Sequence, residues 1–248
     1  MSREFEIRRE VVLPAAPEEV FAAVTTHTGA WMFPTEKVPA VGGEGPDDPT
    51  VKAWEPPHRF EVRVDGEDGW FNALEYVIEA RDGGTAVLRY VHSGVLSEED
   101  WDGQYDGASL HTDFYLHTLG QYLEFFTGRP AAFADVQGPA ASRTPDGFEV
   151  LLRALGVTDA MGVGDRLRGG PPGTDPLDAV IDYRTAHFLG LRTDGALYRF
   201  FGRNAFKAPV GMTIHLFDGA QDGTADAGRA EAAWQRWIDG VYAPQSAG

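Results

Sequence analysis

The chain of 248 residues has no cysteine, which excludes disulfides and thiolate chemistry. It has no run of about 18 apolar residues, so no membrane-spanning helix is expected. The opening stretch MSREFEIRRE lacks the apolar centre of a secretory leader. A cytoplasmic protein is the expectation. Basic charge is scarce: 21 Lys+Arg against 38 Asp+Glu leave a net charge of -17, which argues against nucleic acid and anionic membrane as partners. Catalytic and cofactor motifs are missing as well. No HExxH occurs, and no two of the seven histidines stand four apart, the spacing of a helical metal site. There is no GxSxG, no GxxxxGK followed by Ser or Thr, and no GxGxxG. Neither a metal nor a nucleotide cofactor is therefore expected.

What is present is an alternation of apolar and polar residues. Phe5, Ile7, Arg9 and Val11 alternate with Glu4, Glu6, Arg8 and Glu10, the period of a strand with one mostly apolar face. Pro17, Glu18 and Glu19 then open a helix, where proline and acids suit the first turn. Gly29 begins a second short helical piece, GAWMFP. Residues 42–49 are a polar loop. Strands follow around Val51–Trp54 and His58–Val64, with Pro56-Pro57 as the corner between them. A hairpin from Trp70 to Gly94 turns at Asp82-Gly83-Gly84, where glycine supplies the positive φ of a tight turn. A long aromatic helix from about Asp106 to Phe126 stops at Gly128.

Residues 129–147, rich in proline, alanine and glycine, have the composition of a linker. Residues 1–135 hold 10 Lys+Arg and 25 Asp+Glu, and residues 136–248 hold 11 and 13, a net of -15 against -2. Two domains are expected, 1–135 and 136–248. In the second, Phe148, Leu151, Leu152 and Leu155 predict a helix stopped by Gly156. A short strand is expected at 165–168, a long one at 177–191, a hairpin turn at Thr193-Asp194-Gly195, and strands at 196–202 and 210–217. A closing helix from Asp226 to Tyr242 carries Ala230, Trp234, Trp237, Ile238 and Val241 on one stripe. Trp234 and Trp237 are expected in its core.

The segments PAAPEEVFAAVT, GAWMFP, VKAWEPPHRFEV and EYVIEARDGGTAVLRYVHSG, followed by the long helix, resemble the activator-of-heat-shock-protein-ATPase homologues of the START-like (SRPBCC), helix-grip superfamily. The resemblance covers residues 3–128. It implies an α+β fold in which a curved antiparallel sheet wraps a long C-terminal helix around a hydrophobic cavity. The second half, with a glycine turn and aromatic strand of its own (TDGALYRFFGR), is expected to be a smaller, degenerate or truncated START-like unit that lacks an obvious copy of the first strand and PEEVF helix. An unrelated α+β appendage is the alternative.

The implied fold places Trp31, Phe33, Trp54, Trp70, Tyr90, His92, Phe114 and Tyr115 around the cavity, where aromatics with a few polar tips suit an apolar small molecule. The same rings would otherwise fill a solid core. The function expected is binding of a small hydrophobic ligand. Two alternatives stand beside it. One is a cyclase- or hydrolase-like enzyme using His92, with Asp113 and His117 as an acid–base couple. The other is a co-chaperone-like protein whose partner is a chaperone or another protein.

Overall fold

The computed structural model describes residues 2–34, 47–217 and 223–244. Most of the loop expected at 42–49 lies outside them. The chain divides into two compact units, Met1–Arg129 and Pro130–Gly248.

The first unit begins with β1 (Ser2–Leu13), α1 (Pro17–Val24) and a 3₁₀ turn at Thr28–Ala30. It continues through β2 (Val51–Glu55), β3 (Arg59–Asp65), β4 (Phe71–Arg81) and β5 (Thr85–Ser97) to α2 (Trp101–Phe125). The five strands form one antiparallel sheet in the order β1-β5-β4-β3-β2, so the first strand closes beside the last. The β4–β5 turn uses Gly83 and Gly84 at φ +80° and +75°, as the sequence predicts. β5 outruns the expected hairpin and continues past Gly94. A Cβ at Gly94 would lie 2.8 Å from the Phe71 carbonyl oxygen and 2.9 Å from the Phe5 ring, so only glycine lets Phe5 cross the strand there.

α2 starts five residues before the expected Asp106. Gly103 and Gly107 argue against helix by propensity. Here Asp100, in the left-handed region, leads directly into the helix, and Trp101 stacks on Tyr105 at 5.0 Å. A Cβ at Gly103 would lie 2.8 Å from the Asp100 carboxylate, so that glycine makes room for the entry.

The second unit runs β6 (Ala132–Gln137), α3 (Gly147–Leu155), β7 (Arg166–Gly169), β8 (Leu177–Arg184), β9 (Phe188–Arg192), β10 (Ala196–Phe201), β11 (Gly211–Leu216) and α4 (Gly223–Val241). Its six antiparallel strands are ordered β6-β11-β10-β9-β8-β7. The first strand again lies beside the last, and a long helix again closes the unit. The second unit is the shorter of the two and repeats the element order of the first. β6 takes the place of the first strand and α3 that of the PEEVF helix. In sheet position the counterpart of β5 is β11, rather than the glycine-turn strand β10.

The expected linker is corrected by the same finding. Ala134 pairs with Ile214 and Val136 with Met212 inside the sheet, and both residues are buried. The boundary expected at 135/136 therefore falls within β6. The next residues are fixed too: Ser142 Oγ donates to the Pro139 carbonyl at 2.7 Å and accepts from the Val210 N–H at 3.2 Å. The strand expected over 177–191 is two strands, β8 and β9, separated at 185–187.

Candidate ligand cavity

In the first unit, Val62, Leu74, His92 and Ile7 form one row across the sheet, and Phe60, Tyr76, Tyr90 and Arg9 the next. Alternation along each strand puts both rows on one face. Ala108, His111, Thr112, Tyr115 and Leu116 recur at helical spacing and form one stripe of α2. Between stripe and sheet lies a cavity of about 260 Å³. Trp31, Met32 and Phe33 line it from the segment after α1, and Asn72 and Leu74 from β4. Trp31 is held by its indole N–H, which donates to the Ala23 carbonyl at 2.8 Å. Phe33 meets Tyr115 edge-on at 6.5 Å and remains 48% exposed.

Among the described lining residues none is Lys, Arg, Asp or Glu. The polar groups are hydroxyls, an amide and imidazoles. His92 Nε2 lies 2.8 Å from Asn72 Oδ1, and Phe5 meets the imidazole edge-on at 4.9 Å, so the ring is held from two sides. Burial lowers the His92 pKa, which keeps the ring neutral near pH 7. Burial pushes the Tyr76 and Tyr90 phenols well up, so both keep their protons. Thr112 faces the Tyr90 hydroxyl from α2 and offsets a small part of that rise.

Five of the residues singled out in the sequence line this cavity: Trp31, Phe33, Tyr90, His92 and Tyr115. Three do not. Trp54 packs edge-on against Phe21 at 5.1 Å and Phe60 at 5.7 Å. Phe114 is fully buried on another face of α2. Trp70 sits at the corner before β4, 43% exposed, its ring against Gly66. Asp113 is not at the cavity, and it is not coupled to His117. Its carboxylate binds Arg9, Nε to Oδ1 at 2.5 Å and Nη2 to Oδ2 at 3.1 Å, with Ser109 Oγ accepting a further bond at 2.8 Å. That pair explains Arg9 on the inward face of β1: it ties the strand to α2.

The residues missed are Met32, Asn72, Leu74, Tyr76, Ala108, His111, Thr112 and Leu116. The alternation Asn72-x-Leu74-x-Tyr76, opposite Tyr90 and His92 in the hairpin, was the signal that marked three of them. Among the described residues no group of three His, Asp or Glu is placed to hold a metal ion.

No family model matches the chain, and no curated protein matches it. Among solved structures the chain is similar to DynU16, from the dynemicin biosynthetic locus, at 17% identity over 95% of this chain and 97% of that one, with a TM-score of 0.38. It is similar to the Aha1 dimer of Colwellia psychrerythraea at 18% identity over 50% of this chain and 99% of that one, TM-score 0.37. It is similar to Ara h 8.0201 at 14% identity over 49% and 99%, TM-score 0.36. Aha1 falls in the family that the sequence resembles.

Proposed function

Taking the first unit as a START-like helix grip, we propose that it binds a small, neutral, largely apolar molecule between its sheet and α2. The observation that carries this is the cavity itself, about 260 Å³ in volume, walled by aromatic and aliphatic side chains and free of charged residues among those described. Ligand pockets commonly span about 300–1,000 Å³, so a molecule of one or two rings is the right size. Without a cation in the wall, a carboxylate would be desolvated with no partner, and a neutral ligand is favoured. His92, Asn72 and Tyr90 supply the hydrogen bonds that orient it. Removing about 200 Å² of apolar ligand surface from water is worth roughly 5 kcal/mol before the cost of association.

The test is native mass spectrometry of freshly purified protein beside Ala108→Trp, whose indole fills the cavity from α2. The expected result is a bound small molecule, or uptake of added 2-naphthol, in the wild type and neither in the variant. Equal uptake by both proteins would remove the cavity from the account.

One observation favours a second reading, turnover of the ligand with His92 as general base. The ring is neutral and held by Asn72 within the cavity, which suits proton abstraction from a bound molecule. Asp113 has no part in it, being engaged by Arg9. This reading requires His92→Ala to abolish turnover of a cavity ligand while leaving the fold intact, and unchanged turnover removes it.

A further inference from the structure

The second unit has a trough of its own, about 640 Å³, between its sheet and α4. The floor is aromatic: Tyr198 of β10 and Trp234 of α4 lie 5.6 Å apart, centroid to centroid. Asp226, Arg229, Ala230, Ala233 and Arg236 recur at intervals of three and four, so they share one stripe of α4. The alanines leave room above the rings. Gly173, Thr174 and Asp175, just before β8, line the trough as well.

Two polar groups here are open to a ligand. Tyr198 is 9% exposed, and its hydroxyl makes no hydrogen bond to a described residue and is not among the atoms closed off from solvent, so it is free to bond a molecule in the trough. Burial, with the negative charge of Asp175, pushes this phenol up to about 12, so it remains an O–H able to donate. Arg229 is paired with Asp226, whereas Arg236 forms no ion pair among the described residues. Arg236 also borders an adjoining hollow with Trp237 and Gly240 that neither Asp175 nor Asp226 reaches. Ten residues of helix, about 15 Å, separate Arg236 from Asp226. The trough thus has a cationic end, an aromatic middle and an acidic end.

We propose that this trough is a second binding site, for a flat aromatic carboxylate. The ring system lies on Tyr198 and Trp234 beneath Ala230 and Ala233. The carboxylate meets Arg236, and the Tyr198 hydroxyl takes a further polar group of the ligand. Asp175 and Asp226 repel the reverse orientation. This site stands whether or not the first unit binds anything.

The experiment is calorimetric titration of the full chain with 2-naphthoate and with its neutral methyl ester. The proteins are the wild type, Ala233→Trp, Arg236→Gln and Ala108→Trp, each checked for thermal unfolding. Ala233 and Arg236 are not buried, so both positions carry their substitutions without disturbing the core. The expected result is saturable naphthoate binding that Ala233→Trp abolishes, Arg236→Gln weakens about tenfold, and Ala108→Trp leaves intact. The ester should bind the wild type about tenfold more weakly than the acid. No saturable binding up to millimolar naphthoate, or binding indifferent to Ala233→Trp or to Arg236→Gln, overturns the proposal. Loss in Ala108→Trp would also overturn it, by moving the ligand to the first unit.

Discussion

His92 faces Asn72 and Phe5 inside an uncharged cavity, and the setting has a consequence for stability. Burial lowers its pKa from the ordinary 6.5, so the unfolded chain takes up a proton first as pH falls. Stability from this residue is intact above about 6.5 and is lost as pH drops from there through the lower folded value. The thermal midpoint should therefore fall further between pH 7.5 and 5 in the wild type than in His92→Gln, and equal falls would contradict the assigned burial. A second residue-scale prediction concerns Gly190 of β9. A Cβ there would lie 2.3 Å from both Arg199 Nη1 and Asp182 Oδ1, which form a buried ion pair at 2.5 Å. Gly190→Ala should part the pair and cost about 3 kcal/mol, read as a lower urea midpoint. Arg9 and Asp113 are different. Their side chains are 30% and 37% exposed, so solvent screens the pair, and Asp113→Asn should cost about 1 kcal/mol or less.

At the scale of elements, local signals were legible and non-local ones were not. The Asp82-Gly83-Gly84 turn, the Pro17 helix start and the Gly156 helix stop depend on the residue in place, and the structure has them where the sequence puts them. β6 depends instead on pairing with β11, far along the chain, and nothing in AFADVQ between its prolines and glycines announces that partner. The correction has a test. Ala134 sits in the ladder opposite Ile214, so Ala134→Pro should lose a strand hydrogen bond and destabilise the second unit by about 3 kcal/mol or more in urea unfolding. A true linker would accept proline at no cost. The cavity was half legible for a related reason. Aromatic content marked the right elements, but face decides lining: Phe114 and Tyr115 are neighbours on α2, and only Tyr115 belongs to the cavity stripe.

At the scale of the molecule, one topology occurs twice: a first strand, a helix, an antiparallel run returning beside the first strand, and a closing long helix. The sequence resemblance reached the first copy through its ordered segments. It did not mark β6 as a strand of the second, where glycine-rich loops thin the pattern. The two copies differ in what they enclose. In the first the described lining is uncharged, and in the second the trough is edged by two arginines and two aspartates. The acidity of residues 1–135 is therefore a property of surface and not of the cavity. The most direct measurement is chemical-shift mapping of the isotope-labelled full chain with 2-naphthol. Binding in the first unit predicts saturable shifts concentrated at Leu74, Tyr90, His92, Thr112 and Tyr115, absent in Ala108→Trp. Saturation with those residues unmoved, or no saturable shift at millimolar probe, would contradict it.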